Sequence, residues 1–377
     1  MNIVLVCNAE NRRVAMFCDA VKRLRFPDVR VLDYVDILDG RISVSDYLNP
    51  STLLRIESPG EKFETEKRLI AMGAESEYHG RAERVTRKDA LLLTPDHGRI
   101  RFLKQWYLGF NELLQRLAND VANSGCQVFN SPASISLMFD KAGCHELFRN
   151  YAIPAPKQVF QVQTYDEFRE ALRHCPYKRV FVKPAHGSSA SGVLAYRMQG
   201  DNEELFTPVE LVGNGNEYRL YNALKLKRYI DHDQVRTLLD FILAEGAVIE
   251  EWIPKETMQS RFFDVRVVVI NGKARAVLPR LSNGPITNLH LGNERGSLTQ
   301  LKMLMDEQYN ELVECAEVAL STVDGAFYAG VDVLVTAGSR NPRVLELNAF
   351  GDLLPGLTTD DGDDLYTCAL KELMYAG

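Results

Sequence analysis

The sequence lacks the features that mark several common classes of protein. Its seven cysteines include no close pair of the kind that binds zinc or exchanges disulfides, so we expect reduced, mostly buried thiols in a cytoplasmic protein. No apolar run reaches the length of a membrane-spanning helix, and residues 3–7 indicate a buried strand rather than a secretory signal. Internal repeats and low-complexity tracts are also missing. We therefore expect a globular protein without a membrane partner.

Positive charge is not concentrated anywhere in the chain. The 44 lysines and arginines are outnumbered by 51 aspartates and glutamates, which gives a formal net charge of −7. A protein that binds nucleic acid usually carries a basic patch or stripe, so nucleic acid is not an expected partner. A short basic run, residues 225–228, is predicted to be the solvated face of a helix.

Two familiar nucleotide-binding signatures are absent as well. No Gly-x-Gly-x-x-Gly follows the first strand, which disfavours a Rossmann-type site, and no Gly-Lys-Ser/Thr marks a P-loop. Residues 180–184 instead indicate a strand that carries Lys183 near its end and leads into the Gly/Ser loop 185–192. Backbone amides and hydroxyls of such a loop can close over phosphates, and Lys183 adds positive charge. Taken alone, the segment fits an ordinary flexible hairpin with a surface lysine better.

The length of 377 residues is too great for one ordinary core and predicts two or three domains. Strand-like and helix-like segments alternate over about the first 140 residues, as in an open parallel α/β sheet. Ligands of such sheets bind at the carboxyl ends of the strands, where residues 8–13 and 55–60 are expected to lie. Arg55 and Glu57 are the preferred substrate-binding side chains there. The alternative is an ion pair that fixes the end of the strand.

The best candidate for a metal site is a hairpin near the C-terminal end. Two segments rich in β-branched and aliphatic residues flank a loop of turn formers. Pairing Val335 with Arg343 places Asp332 opposite Glu346, and Asn348 shares the face of Glu346. Two opposed carboxylates repel each other, but together with an amide oxygen they suit a hard cation such as Mg²⁺. The alternative is the polar, solvent-facing side of an edge hairpin.

From about residue 130 to residue 356, short motifs follow one another in the order and spacing of the ATP-grasp superfamily. The chain resembles in particular the RimK-like and D-alanine–D-alanine-ligase-like carboxylate–amine ligases. The motifs that carry this resemblance are Phe139-Asp140-Lys141, Val182-Lys183-Pro184 with its Gly/Ser loop, the hinge-like strand 248–253, Phe263-Asp264-Val265-Arg266, Thr287-Asn288-Leu289-His290, and Asp332 followed by Glu346 and Asn348.

The resemblance implies a role for individual side chains in these motifs. It implies that ATP is held by Lys141, Lys183, Ser188, Ser189, Glu251, Asp264 and the backbone of Trp252 and Ile253. It also implies that Mg²⁺, or Mn²⁺ in its place, is bound by Asp332, Glu346 and Asn348, and that the catalytic side chains are Arg266, Arg280 and Asn288.

The implied fold is mixed α/β and α+β. It comprises an N-terminal open parallel α/β domain in residues 1–135, a small α+β lid in 136–250 and a larger C-terminal domain of antiparallel strands plus helices in 251–377. The implied reaction activates a carboxylate with ATP as an acyl phosphate and joins it to an amine, releasing ADP. Small-molecule or peptide carboxylates and amines are the expected substrates, and a homo-oligomer is compatible with the resemblance. A small-molecule kinase on the same fold and a nucleotide-binding regulatory module stay open as alternatives.

The sequence also departs from the resembled family. Ile286 stands where an arginine is common, residues 192–250 form a longer stretch than usual, and residues 349–356 replace a small Ser-Pro-Gly loop. The familiar substrates are therefore not carried over to this chain. Arg280 poses a separate question of register, because a strict two-residue Asn-Gly hairpin pairs it with Phe263, facing away from Asp264 and Arg266. A β-bulge near Pro279 would realign it.

Overall fold

A computed structural model of the protein describes residues 2–27, 29–78, 80–187, 190–200, 202–213, 218–350 and 354–375. The N-terminal part contains a parallel sheet with the strand order β2-β1-β3-β4, which confirms the predicted α/β unit. Its elements are β1 (Asn2–Cys7), α1 (Arg12–Arg23), β2 (Val29–Asp33), α2 (Tyr34–Leu38), β3 (Thr52–Ile56), α3 (Phe63–Met72), α4 (Arg87–Leu91), α5 (Leu103–Ser124) and β4 (Gln127–Val128). Strand β1 is apolar and buried because helices cover both faces of such a sheet.

A second, antiparallel sheet follows and has the strand order β8-β7-β6-β5-β9. Its elements, with the two helices that precede them, are α6 (Pro132–Phe139), α7 (Lys141–Asn150), α8 (Tyr165–His174), β5 (Arg179–Pro184), β6 (Leu194–Gln199), β7 (Asn202–Val212), β8 (Arg219–Tyr229), α9 (His232–Ala244) and β9 (Ala247–Glu251). One face of this sheet packs on α8 and α9 through a core of its own that includes Val180, Tyr196 and Leu239. The opposite face of the sheet, which carries Lys183 and Glu250, lines a cavity.

The prediction of a helix over the basic run 225–228 is wrong, because these residues lie in strand β8. Strands β7 and β8 pair along most of their length, and backbone pairing decides the structure here rather than the charge pattern. Strand β8 is an edge strand, where charged side chains are common. The long ribbon of β7 and β8 lies within the stretch 192–250 that the sequence indicated to be longer than usual.

The C-terminal sheet is antiparallel, with the strand order β13-β12-β11-β14-β15, and β10 pairs with β11. Its elements are β10 (Thr257–Met258), β11 (Arg261–Ile270), β12 (Lys273–Ser282), β13 (Glu294–Arg295), α10 (Leu298–Met305), α11 (Gln308–Ser321), β14 (Tyr328–Val335), β15 (Pro342–Asn348) and α12 (Leu365–Tyr375). The apolar cores of the N-terminal and C-terminal sheets are continuous, whereas the core of the middle sheet is separate. The domain limits at residues 135 and 250 stay predictions. No helix within the described ranges is both long and apolar enough to cross a membrane.

Candidate active site

The hairpin of β14 and β15 places the two predicted metal-binding carboxylates opposite each other. Val335 pairs with Pro342, so the assumed pairing of Val335 with Arg343 is wrong by one residue. A β-bulge after Asp332 adds one residue to β15 and restores the pairing of Asp332 with Glu346. The predicted opposition of the two carboxylates is therefore confirmed, although the register at the turn differs.

A second β-bulge sets the position of Arg280. In the hairpin of β11 and β12, Val268 pairs with Ala276 and Val269 with Ala274, so the extra residue is Arg275 rather than one near Pro279. Beyond the bulge, Arg280 pairs with Asp264 instead of Phe263. The position expected for a strict hairpin is wrong for this reason, and Arg280 faces the same side of the sheet as Asp264 and Arg266.

Asp332 lies between two arginines in the interior. It accepts hydrogen bonds from Nε and Nη2 of Arg266, the second at 3.0 Å, and its Oδ2 lies 3.0 Å from Nη2 of Arg280. Burial alone raises the pKa of the Asp332 carboxyl, but the two guanidinium groups outweigh it and hold this pKa well below its ordinary value. Asp332 is thus ionised and anchors both arginines.

Asp264 holds Arg280 from its other side. Its Oδ1 accepts a hydrogen bond from Nε of Arg280 at 2.7 Å, and its Oδ2 contacts Nζ of Lys255 at 3.4 Å and the hydroxyl of Thr287. Burial lowers the pKa of Lys255, and the nearby carboxylate of Asp264, which raises this pKa, offsets only part of the change. Both oxygens of Asp264 are therefore engaged by protein groups and help to position Arg280, while its contact with a nucleotide stays a prediction.

Glu346 differs from Asp332 in lacking a cationic partner. Among the residues that the structure describes it forms no ion pair, and its contacts are Asp332 and Nδ2 of Asn348 at 3.5 Å. Nδ2 of Asn348 also donates to the carbonyl oxygen of Gly330 at 3.1 Å. The described residues contain no cluster of three His, Cys, Asp or Glu side chains fit for a metal ion. Two carboxylates and an amide still suit Mg²⁺, which usually binds one or two protein carboxylates and takes its other ligands from water and phosphate.

The two predicted nucleotide lysines lie on the middle part of the chain and are held differently. Lys141 is the first residue of α7, and its Nζ donates to the carbonyl oxygen of Gly187 at 2.6 Å. Nζ of Lys183 lies 2.6 Å from Oε2 of Glu250, whose Oε1 contacts Nε2 of His145 at 2.8 Å. Ser188 and Ser189, predicted to cover the phosphates, lie outside the described residues, as does the side chain of His290.

Glu250 contacts the predicted nucleotide lysine Lys183, and sequence reasoning missed this residue in favour of Glu251. Burial raises the pKa of Glu250, but Lys183 and His145 outweigh it and keep that pKa below the usual range. The available signal was the two-residue period of a strand. Val248 pairs with Lys183, so Glu250, two residues further along β9, shares the face of Lys183 while Glu251 faces the other way.

The hinge after β9 agrees with the prediction only in part. Glu251 and Ile253 line the same cavity as Lys183. The backbone amide of Trp252, however, donates to the carbonyl oxygen of Arg179 at 3.2 Å, and its indole packs on Phe181 with ring centroids 5.1 Å apart. The amide of Trp252 is therefore already hydrogen-bonded within the protein, and the role of the hinge backbone in holding the adenine stays a prediction.

Two cavities meet at the predicted catalytic side chains. The inner cavity lies between the middle and C-terminal sheets and is lined by Lys141, Lys183, Glu250, Glu251, Ile253, Lys255, Asp264, Arg280, Asn288, Asp332 and Glu346, among others. The outer cavity has a volume of about 390 Å³ and extends to the N-terminal sheet, with Arg13, Ser58, Gly60, Arg266, Arg280, Asn288, Glu346 and Asn348 in its wall. The residues common to both include Lys141, Arg280, Asn288 and Glu346. Of the described residues predicted to hold ATP or Mg²⁺ or to act in catalysis, Trp252 alone lines neither cavity.

Arg55 and Glu57 do not contact these cavities. Arg55 is fully buried, and its guanidinium lies 4.8–5.5 Å from the ring centres of Phe17, Phe129, Tyr328 and Tyr366. Its Nε donates to Oε1 of Glu57 at 2.5 Å. The expected substrate role of Arg55 and Glu57 is thus wrong, and the alternative, an ion pair at the end of the strand, is correct.

Comparison with known proteins agrees with this geometry. Residues 227–362 match the RimK-like ATP-grasp domain. The coenzyme gamma-F420-2:alpha-L-glutamate ligase of Methanocaldococcus jannaschii is 32% identical over 129 residues, which cover 34% of this chain and 40% of that protein. This chain therefore spans less than half of the length of that relative.

Solved structures extend the likeness to the whole chain. D-cycloserine synthetase DcsG has a TM-score of 0.56 at 13% identity, with 99% of this chain and 100% of that one covered. The ATP-grasp ligase PsnB, complexed with minimal precursor, Mg and ADP, has a TM-score of 0.52 at 16% identity, with coverage of 99% and 96%. At these identities the likeness establishes the fold alone, and it confirms the predicted mixed α/β and α+β ATP-grasp fold.

Proposed function

Because the chain has the ATP-grasp fold and carries a RimK-like ATP-grasp domain, we propose that it is an Mg-ATP-dependent ligase that activates a carboxylate as an acyl phosphate and joins it to an amine. The observation that carries this proposal is the junction of the two cavities. A nucleotide in the inner cavity and a substrate in the outer cavity would meet at Lys141, Arg280 and Glu346. Phosphoryl transfer to a carboxylate requires this kind of juxtaposition of two bound molecules.

The chain's own residues would act mainly by positioning and by charge. Lys141 and Lys183 would neutralise the phosphate chain, and Arg266 and Arg280 would stabilise negative charge that develops on the transferred group. Both arginines are already fixed by Asp332, so they need no reorganisation when the substrate binds. When bound, Mg²⁺ would reduce the charge on the phosphate oxygens, with Asp332, Glu346 and Asn348 as its protein ligands.

Support from relatives is limited to the reaction class. The relative from Methanocaldococcus jannaschii is by its name a ligase of L-glutamate, and PsnB is a ligase solved with a precursor, Mg and ADP. We carry over ATP, Mg²⁺ and the joining of a carboxylate to an amine, but neither of those substrates. The substrates proposed here are a small-molecule or peptide carboxylate and an amine.

The test is trapping of the acyl phosphate with hydroxylamine. The protein is incubated with Mg-ATP, hydroxylamine and pools of carboxylic acids, and hydroxamate and ADP are quantified together. Equal amounts of both support the ligase. A stable phosphate ester without hydroxamate would show a kinase instead, and Mg-ATP binding without turnover in any pool would show a regulatory module. The Glu346→Gln variant is the negative control, because it removes the carboxylate that has no other cationic partner among the described residues.

A further inference from the structure

Three aromatic side chains from separate segments form one wall of the outer cavity. Trp106 lies on α5, Phe139 ends α6 and Phe350 follows β15. The ring centroids of Trp106 and Phe139 are 6.2 Å apart and those of Phe139 and Phe350 are 5.6 Å apart. Phe110 is fully buried behind them, 5.4 Å from Trp106 and 5.5 Å from Phe139. The wall is therefore a supported, continuous aromatic surface that faces the cavity.

Phe350 lies in the segment where the sequence departs from the resembled family. It follows the predicted metal ligand Asn348 by two residues, in a stretch that replaces a small Ser-Pro-Gly loop. The departure thus adds a large ring to the substrate side of the site. An aromatic ring buried against a ligand contributes strongly to affinity and selects ligands with a flat or bulky apolar part.

The same cavity contains a carboxylate without a cation. Glu66 lies in the first turn of α3, is partly buried and lines the outer cavity. It forms no ion pair with any residue in the described part of the chain, whereas Glu64 contacts Lys67 at 2.9 Å and Arg68 at 2.6 Å. Burial raises the pKa of Glu66 and outweighs the opposite effect of a hydrogen bond from the backbone N–H of Glu61. A bound cation would compensate the charge of Glu66.

We propose that the outer cavity takes an amine substrate with an aromatic or bulky apolar group, which packs on Trp106, Phe139 and Phe350 while Glu66 binds its ammonium form. The assignment rests on the proposed ligase function, since this substrate would share the cavity with Glu346. Glu66 offers a partner to the ammonium group, whereas cationic side chains in the wall of the same cavity, such as Arg99, Arg101 and Arg266, suit the carboxylate substrate. Glu66 is a binding residue in this assignment and takes no part in phosphoryl transfer.

The test measures binding of simple amines in the absence of ATP. The chain has two tryptophans, so in a Trp252→Phe background the fluorescence comes from Trp106 on the wall itself. Phenethylamine is compared with ethylamine, which lacks the ring, and with 2-phenylethanol, which lacks the charge. We expect phenethylamine to bind about tenfold or more tightly than either, as befits the loss of one apolar or one charged contact.

Variants separate the contribution of the aromatic wall to binding from that of the Glu66 carboxylate. Phe350→Ala should weaken phenethylamine binding about tenfold or more and leave ethylamine unchanged, and Glu66→Gln should bring phenethylamine to the level of 2-phenylethanol. Phe350→Leu, which keeps apolar volume, replaces the alanine variant if that variant does not fold. Phe262→Ala and Glu64→Gln are matched controls, because Phe262 is 41% exposed outside the cavity, and Glu64 lies two residues from Glu66 on α3 without lining the cavity.

Equal affinities for phenethylamine and ethylamine, or no fluorescence change with any ligand, would overturn the assignment. So would a Glu66→Gln variant that keeps the preference for phenethylamine over the alcohol. Because no ATP is present, this result is separable from the ligase proposal. Absence of hydroxamate refutes the ligase while amine binding can still be measured, and hydroxamate formation together with equal amine affinities refutes only the assignment of the cavity.

Discussion

Asp332 and Glu346 face each other across β14 and β15, but only Asp332 compensates buried arginines. The side chains of Arg266 and Arg280 are only 8% and 6% exposed. Breaking a buried ion pair by removing one partner costs about 3–5 kcal/mol, because the other charge stays buried and unpaired. In Asp332→Asn, Arg280 keeps Asp264 at 2.7 Å, so the loss falls on Arg266. We therefore expect the lower end, about 3 kcal/mol of the free energy of unfolding.

Glu346→Gln should behave differently although it removes the neighbouring predicted metal ligand. Glu346 has no ion pair among the described residues that the substitution could break. The free energy of unfolding of the Glu346→Gln variant should therefore stay within about 0.5 kcal/mol of the wild-type value. Both variants should lose ADP formation. The comparison thus separates the metal role that the two carboxylates share from the charge balance that only Asp332 supplies.

The pH dependence gives an independent check on the same carboxyl group. The pKa of Asp332 is held below its ordinary value in the folded protein, so its contribution to stability is present above the unfolded-state pKa, near 4, and is lost as the pH falls through the folded-state pKa. The stability difference between wild type and Asp332→Asn should therefore shrink below about pH 4.

Urea unfolding followed by circular dichroism measures these differences, with Asp324→Asn as a control because Asp324 is exposed. An Asp332→Asn variant as stable as Glu346→Gln would refute the reasoning about the two arginines. Wild-type turnover in Glu346→Gln would refute the metal assignment instead.

Three further predictions concern other buried carboxylates and their partners. Glu250→Gln should raise the KM for ATP by on the order of tenfold, since Lys183 loses a charged hydrogen-bond partner; an unchanged KM in steady-state kinetics contradicts this. Arg55→Met should cost about 3 kcal/mol in urea unfolding because Glu57 stays buried without its cation, and the KM values should not change. Burial raises the pKa of Glu245 to about 7 in the folded protein, so the fold favours the protonated side chain. The resulting contribution to stability is present below the unfolded-state pKa and is lost as the pH rises through 7. Glu245→Gln should then be more stable than wild type at pH 8, by on the order of 2 kcal/mol, and the gain should fade toward pH 5 in urea unfolding.

The sequence predicted which side chains form the site better than it predicted how the strands pair. Alternation along a strand and an oxygen-rich ligand set, together with the family resemblance, pointed to Asp332, Glu346 and Asn348, which lie together on one hairpin, and their role as metal ligands stays a prediction. A β-bulge leaves little trace in a single sequence, because it depends on how two strands twist against the rest of the sheet. One bulge corrected a wrong register at the turn of β14 and β15, and the other brought Arg280 opposite Asp264.

Arg55 shows a different limit of sequence reasoning. Its place near the carboxyl end of β3 is typical of a ligand-binding residue in a parallel sheet. Its actual environment is made by rings from α1, β14, α12 and the segment after β4, which are far apart in the sequence. No local pattern around Arg55 reports those contacts. A charged residue at the carboxyl end of a strand can therefore be mistaken for a ligand-binding residue although it is buried and has a structural role.

The charges around the inner cavity lead to a prediction about ATP itself. Among the residues that the structure describes, the cavity is lined by four cationic and five acidic side chains, namely Lys141, Lys183, Lys255 and Arg280 against Glu250, Glu251, Asp264, Asp332 and Glu346. A triphosphate without a divalent cation should therefore be repelled, and Mg²⁺ should be needed for ATP to bind at all tightly. Glu346→Gln removes one negative charge and one metal ligand. It should strengthen binding of metal-free ATP by on the order of tenfold and weaken binding of Mg-ATP.

Isothermal titration calorimetry with ATP in EDTA and in excess MgCl₂ measures both effects. Glu61→Gln is the control, because it makes the same charge change in the wall of the outer cavity, at a residue that is not a predicted ligand of ATP or of the metal. It should leave both ATP affinities, and the gain in affinity that Mg²⁺ gives, close to those of the wild type. If Glu346→Gln keeps that gain as well, Glu346 acts only through its charge, and the metal site cannot be where the paired carboxylates place it.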